Sequence, residues 1–227
     1  LDALNAVEGI RWIRILYAYP ERITDDFIAA MQRNEKVVPY LDLPIQHCDD
    51  RVLAAMGRRG SRADIEDAIR RLRAAIPDLT LRTTLIAGFP GETEAEYAEL
   101  CDFVRTVRFD RLGCFAYSPE ENTPAAVMEG QLDEETKQKR ADHIMELQAD
   151  ISAAAMAAKV GRTLECICDG VDDETGMYLL RTAADCPEID GNVLTPADTP
   201  LVPGEFYRVT ITDSDTYDLY GYVEGEE

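Results

Sequence analysis

Gly88-Phe89-Pro90-Gly91-Glu92-Thr93 lies between a β-branched run and a helix-start signal, and it holds the residue types that a ligand loop needs. Glycines at 88 and 91 let backbone approach a bound group closely, or close a tight turn with no ligand at all. Glu92, at the helix start, can accept from a ligand hydroxyl or amine and also favours the helix dipole. A second constellation is Leu43-Pro44-Ile45-Gln46-His47-Cys48-Asp49. Gln46 offers donor and acceptor together, suited to a ribose or an amide. His47 is one of two histidines; a solitary histidine is more often a hydrogen-bonded structural residue than a ligand or base. Cys166 and Cys168 share one face of an expected strand. Two thiols alone do not make a zinc or iron–sulfur site, and core cysteines are the commoner outcome. Tyr207, Tyr217, Tyr220 and Tyr222 offer a stacking platform or, more commonly, barrel-core packing, with Tyr220 and Tyr222 on one face of the last strand.

These residues need elements to hold them. Apolar, β-branched runs predict strands at 10–17, 40–45, 79–87 and 111–117. Helices between them carry start signals: Thr24 as an N-cap with an Ile23/Ile28 staple, Asp49 or Asp50 as a cap, Ser61-x-x-Asp64, and the capping box Thr93-x-x-Glu96. Gly57 stops the short helix, and a long helix runs over roughly 133–158. Strands alternating with helices at roughly 30–40-residue intervals mean parallel β with right-handed crossovers. Four such units do not close an eight-stranded barrel and leave an open arc. After Gly161, short strands at 164–168, 177–181, 191–195, 206–213 and 219–223 suggest a small antiparallel OB-like barrel. The expected organisation is α/β over 1–159 and a β-barrel over 160–227.

The 227 residues carry 23 Lys+Arg against 44 Asp+Glu, a net charge of −21. Residues 160–227 hold 16 of the acids and three arginines, a net of −13. Neutralising six phosphates would give a salt slope of roughly −5, and three arginines cannot supply that many contacts. A basic protein is the better partner for such a surface, and nucleic acid a poor one; a generally acidic proteome would produce the same bias. No run of 18 apolar residues predicts a membrane span. The start, Leu1-Asp2-Ala3-Leu4, is neither a signal peptide nor an initiator Met, which suggests a piece of something longer. Six scattered cysteines suggest reduced thiols and a cytoplasmic setting.

Several strings together resemble the radical S-adenosylmethionine (SAM) methylthiotransferases. They are Trp12-Ile13-Arg14-Ile15-Leu16-Tyr17, Pro44-Ile45-Gln46-His47, Met56-Gly57-Arg58-Arg59, the loop 88–93, and Phe115-Ala116-Tyr117-Ser118-Pro119-Glu120-Glu121-Asn122-Thr123-Pro124-Ala125. The last 65 or so residues resemble a TRAM domain. The resemblance implies a partial (β/α) radical SAM barrel followed by that barrel. It implies SAM and two 4Fe-4S clusters in the full-length enzyme, with Gln46, Gly88, Phe89, Pro90, Gly91, Glu92, Phe115, Tyr117 and, more weakly, Arg59 near SAM. Glu120-Glu121 after Ser118-Pro119, and Cys186-Pro187-Glu188-Ile189-Asp190-Gly191, are similar to the branch that methylthiolates an aspartate of the small-subunit ribosomal protein S-twelve. That basic partner fits the charge, and Glu188, Asp190, Asp213, Asp215 and Asp218 are the expected contacts. A tRNA methylthiotransferase and a non-catalytic module for a basic protein are the alternatives. The family's Cys-x3-Cys-x2-Cys motif is absent from these residues. The expectation is therefore a chain that starts near the third barrel strand, supplies no cluster ligands, is inactive alone and by itself binds SAM weakly or not at all.

Overall fold

The computed structural model describes residues 1–196 and 200–225. The chain divides into two compact units, Leu1–Gln148 and Ala149–Glu227.

The first unit begins with a one-turn helix α1 (Asp2–Asn5) and then builds a four-stranded parallel sheet in the order β1 (Ile13–Ile15), β2 (Val37–Asp42), β3 (Thr80–Ala87), β4 (Arg111–Ala116). Helices α2 (Asp25–Arg33), α3 (Asp50–Ala55), α4 (Arg62–Ala75) and α5 (Glu94–Val107) make the crossovers. The capping signals fix where they start. Thr24, Asp49, Ser61 and Thr93 each accept from a first-turn amide, and Ser61 and Thr93 form reciprocal boxes with Asp64 and Glu96. α4 buries Ile65, Ala68, Ile69 and Leu72, and α5 buries Tyr97, Leu100, Cys101, Phe103 and Val104. β3 alternates strictly: Leu81, Thr83 and Leu85 are fully buried, while Arg82, Thr84 and Ile86 lie half-buried on the other face. The sheet does not close, which leaves β1 and β4 as edges.

β1 is shorter than the apolar run predicts. Pro39 interrupts β2 opposite it, and a proline gives the ladder no N–H. The register slips accordingly, from Ile13↔Val37 to Ile15↔Leu41. β2 ends at Asp42, so Pro44 falls just beyond the strand.

The second unit is a closed barrel in the order β5 (Thr163–Val171), β6 (Tyr178–Thr182), β7 (Val193–Thr195), β9 (Leu219–Val223), β8 (Phe206–Ser214). The expected wholly antiparallel barrel is corrected to a mixed one, because β7 and β9 run parallel. Cys166, Cys168, Leu180, Val193, Leu201, Val209, Ile211 and Leu219 form its core. Gly221 permits the β8–β9 approach: a Cβ there would sit 2.4 Å from the Thr210 carbonyl oxygen. Its neighbours Tyr220 and Tyr222 therefore share the outer face of β9, and Tyr222 is 53% exposed rather than core. The helix α6 (Glu134–Ala157) precedes the barrel in sequence. No helix among the described residues is long and apolar enough to cross a membrane.

Candidate functional site

Parallel α/β sheets present ligands at the carboxyl ends of their strands, where the βα loops gather. A cavity of about 290 Å³ opens there in the first unit. It is lined by Tyr17, Ala18 and Tyr19 after β1, Pro44 and Gln46 after β2, Arg58 after α3, Arg82 and Thr84 on β3, and Phe115 on β4. Three aromatic rings (two of them phenols), two guanidiniums, an amide and the Thr84 hydroxyl meet in one concavity. Tyr17 is 76% exposed and Phe115 is 62% exposed. Such rings at a pocket wall suit the face of a flat heterocycle.

Two lining residues hold a backbone conformation that side chains other than glycine seldom adopt, Tyr17 at φ 59° and Gln46 at φ 69°. Each is locked by its surroundings. The Tyr17 amide donates to Asp42 Oδ2 (3.3 Å) and the Ala18 amide to the Asp42 carbonyl (2.8 Å). Gln46 donates its amide to the Thr84 carbonyl and accepts from the Ile86 amide, both at 2.9 Å. Asp42 is buried, and its other oxygen accepts from Arg82 Nη1 at 2.9 Å. Arg82 Nη1 also reaches Thr84 Oγ1 at 3.3 Å. One carboxylate thus fixes the strained turn after β1 and aims a pocket guanidinium.

Of the residues expected near SAM, Gln46 and Phe115 line this cavity. Gly88, Phe89, Pro90, Gly91, Glu92 and Tyr117 do not, and Arg59 stays on the exposed surface while its neighbour Arg58 enters the wall. The glycine loop is built for packing. A Cβ on Gly88 would meet Lys137 Cγ of α6 at 2.4 Å, and the Gly91 amide donates to the Gly130 carbonyl at 2.8 Å. Phe89 packs edge-on to Tyr117, with ring centroids 5.2 Å apart. Glu92 does not offer its carboxylate outward. It is buried and accepts from the Gly88 amide (3.0 and 3.1 Å) and from Arg140 Nη1 (2.7 Å). His47 Nε2 lies 3.4 Å from Glu92 Oε2, with both side chains fully buried. Because His47 Nδ1 accepts from the Asp49 amide, the ring proton sits on Nε2 and points toward Glu92. His47 is the structural histidine that its isolation suggested.

The sequence motifs carry no site signal for Ala18, Tyr19, Arg82 or Thr84, and Tyr17, Pro44 and Arg58 stand only within the strings quoted above. β3's alternation was a usable signal, because a Thr-Leu-Arg-Thr-Thr-Leu strand puts Arg82 and Thr84 together on one face.

All six cysteines are free, and all but Cys114 are buried. Burial pushes the thiols of Cys48, Cys114 and Cys166 up to about 12, which disfavours the thiolate form that metals bind. Among the described residues no three His, Cys, Asp or Glu side chains gather as a metal site. The residues present therefore do not fit an iron–sulfur cluster.

In the barrel, the five nominated acids divide. Asp190 accepts from the Cys186 amide and Asp218 from the Asn192 amide. Asp215 accepts from the Tyr217 and Asp218 amides and the Tyr220 hydroxyl. Burial pushes the Asp215 carboxyl up, but those donors outweigh it and hold the group below its usual value. Glu188 and Asp213 are exposed, and Asp213 accepts only from the adjacent Ser214 amide. Two of the barrel's three arginines are turned to its own acids, Arg181 toward Asp169 and Arg208 toward Glu224.

An open parallel sheet with a strand-end pocket, followed by a closed five-stranded barrel, defines a radical SAM domain joined to a TRAM domain. The radical SAM superfamily profile matches residues 2–104, and the TRAM domain profile matches 160–223. Over part of its length the chain also shares its fold with a solved radical SAM enzyme, coproporphyrinogen III oxidase (HemN) from Escherichia coli. The TM-score is 0.53 at 19% identity, covering 62% of this chain and 32% of that one. Along nearly its whole length the chain is similar to radical SAM methylthiotransferases of the RimO branch. It is 49% identical over 98% of its length to the ribosomal protein uS12 methylthiotransferase RimO of Desulfitobacterium hafniense. It is 45% identical over 98% to the protein of the same name from Bdellovibrio bacteriovorus. The chain spans about half the length of the curated relatives it matches.

Proposed function

We propose that this chain contributes the cofactor pocket and the partner-recruiting barrel of a methylthiotransferase that modifies an aspartate β-carbon of the basic ribosomal protein uS12 in the cytoplasm. The TRAM profile, which begins at residue 160, supports a junction between the two functions at 159/160. SAM, when bound, supplies the radical chemistry for which the superfamily is named. The chain's own part is to bind and orient. Tyr17, Tyr19 and Phe115 would face the adenine ring, Gln46 and Thr84 would take ribose or ring-edge hydrogen bonds, and the guanidiniums would meet the polar tail. Gly88–Glu92 and Tyr117 support that pocket from a packed loop. The described residues offer the clusters no ligand set, so cluster-dependent steps need groups that these residues do not supply.

The observation that carries this reading is the strand-end pocket of aromatic rings and guanidiniums in a chain that matches RimO over nearly its whole length. The barrel's charge supports the partner. At −13, with two of its three arginines paired internally, it attracts a cationic polypeptide and repels phosphate. Titrating the chain against isolated uS12 and against tRNA, at low and physiological salt, tests it. Binding to uS12 that weakens as salt rises is expected. Tight tRNA binding at physiological salt would overturn the protein-substrate assignment in favour of a tRNA-modifying one.

A further inference from the structure

We infer that the tyrosine face of β9 is a dock for arginine side chains of a cationic polypeptide, a deepening that rests on the partner reading above. Three tyrosines make the face. Tyr220 and Tyr222 share the outer side of β9, and Tyr217 stands in the turn that leads into the strand. Tyr217 is 42% exposed and Tyr222 is 53% exposed, so these rings add little to the barrel's core. Tyr207, the fourth tyrosine of the sequence pattern, plays another part. It is half-buried against the core, and its hydroxyl accepts from the Val202 amide at 2.8 Å.

The face is held in place before any partner arrives. Gly221, between the two rings, presses β9 against the Thr210 carbonyl of β8. The Asp215 carboxylate accepts from the Tyr217 amide (2.9 Å), the Asp218 amide (2.8 Å) and the Tyr220 hydroxyl (3.0 Å). One acid thus fixes the turn that carries Tyr217 and the ring of Tyr220. A phenol that donates to a carboxylate keeps an electron-rich ring, which strengthens its attraction for a cation.

Charge decides what such a face can take. Flat rings alone stack a nucleobase or a guanidinium. Here Asp213 lies opposite Tyr220 in the β8–β9 register, Asp218 closes the turn, and Glu224 follows Tyr222 by two residues. Arg208 of β8 is paired with Glu224 at 2.9 Å, and residues 160–227 contain no lysine. A phosphate strand laid on these rings would meet carboxylates. A guanidinium gains from the carboxylates and from the ring faces together. An ammonium gains the charge but, being compact and strongly hydrated, less of the stacking.

Fluorescence anisotropy of the 227-residue chain at low salt tests the dock. The probes are two labelled peptides of equal length and charge, one carrying arginines and the other lysines, and an oligouridylate. The arginine peptide should bind about threefold tighter than the lysine peptide, because exposed ring faces add a few-fold at most. The oligouridylate should bind more weakly than either. Replacing both exposed rings, Tyr217→Leu with Tyr222→Leu, keeps apolar area and removes the π faces. The arginine peptide should then fall to the lysine level, while the lysine peptide's affinity, its salt dependence and the melting temperature stay as in the parent. Tyr217→Phe with Tyr222→Phe should keep the preference. A preference that survives the leucine pair overturns the dock. Equal, salt-sensitive binding of both peptides to the parent also overturns it, and leaves the cationic-partner reading standing. If neither peptide binds at low salt, dock and partner reading fall together, and oligouridylate binding lost in the leucine pair makes the face a nucleobase platform. The expected arginine preference in a chain that does not bind isolated uS12 keeps the dock and removes uS12 as its partner.

Discussion

The two units hold their charges in opposite ways. The parallel-sheet unit buries them: Asp42 with Arg82, and Glu92 with Arg140 and His47. The barrel's core cluster is entirely apolar and sulfur-bearing; Asp185, which accepts from the Thr182 amide and hydroxyl, is its one buried carboxylate among the described residues, and Asp190 and Asp215 serve turns. Buried ion pairs do little for net stability, because desolvation offsets attraction, but they fix geometry. The sheet unit accepts that cost beside the strand-end pocket, at Asp42 and Arg82, and in the packed loop, at Glu92. A closed barrel with a dry core gains stability from its interior and leaves its exterior free for charge. The contrast suggests that one unit works through its inside and the other through its outside.

The most damaging test of that contrast is Glu92→Ala. It would leave the Gly88 amide without its acceptor and Arg140 with only the exposed Glu94 carboxylate and the backbone carbonyl of residue 92. The first unit should lose about 3–4 kcal/mol, because a buried donor is stranded and a buried pair is broken. Urea unfolding followed by Trp12, the only tryptophan, reports on that unit. A loss below about 1 kcal/mol would mean that the network is slack and that the comparison fails.

Glycines give the next contrast. Gly88→Ala places a Cβ 2.4 Å from Lys137 Cγ at φ 75°, so strain and overpacking add, for about 2–4 kcal/mol. Gly176→Ala in the barrel meets nothing within 4 Å at φ 71° and should cost only the left-handed penalty, about 1 kcal/mol. Equal costs at the two positions would show that the Gly88 loop yields to α6.

That loop shows how far the sequence was legible. Strand–helix alternation, the capping boxes and the change of character after Gly161 were all readable, because local spacing and hydrogen bonding determine them. Loop 88–93 reads as a special turn, yet Gly88 faces Lys137 of α6, far along the chain, and no local pattern reveals which surface a backbone approaches. Glu92 was nominated for a ligand on its helix-start position, and a buried arginine at position 140 claimed it. The pocket wall is drawn from five chain segments, four of them on or just after the strands β1 to β4. Only Gln46 and Phe115 were nominated beforehand, because Arg58 and Arg82 look like ordinary surface arginines until topology brings them together.

Acid should affect the two units unequally. The Arg51 guanidinium, against the opposing push of partial burial, holds the Glu96 carboxyl at about 2, and the Thr93 amide and hydroxyl assist. A folded value below the unfolded 4.5 means the stabilisation is complete above about pH 5 and is lost as pH falls toward 2. With Arg51 half-exposed, solvent screening reduces the effect to about 1–2 kcal/mol. Glu96→Gln should flatten the acid limb of the first unit's unfolding and leave the barrel's unchanged. If that limb keeps its slope, other carboxylates carry the acid response.

The smallest effects decide whether the barrel's outside is functional or merely acidic. Asp218→Ala removes the acceptor of the Asn192 amide, held at 2.6 Å beside the Gly191 close approach, and should cost about 1–2 kcal/mol. The pair Asp213→Asn and Glu188→Gln touches exposed carboxylates and should leave stability within about 0.5 kcal/mol. Those two acids are spared by the turns, so their charge is available to a partner. In the double variant, association with uS12 at low salt should slow by a few-fold and converge with the parent as salt screens the field. A parent-like association rate at low salt would show that the cationic partner engages a different part of the barrel. An unstable double variant would show instead that these carboxylates belong to the scaffold, as Asp218 does.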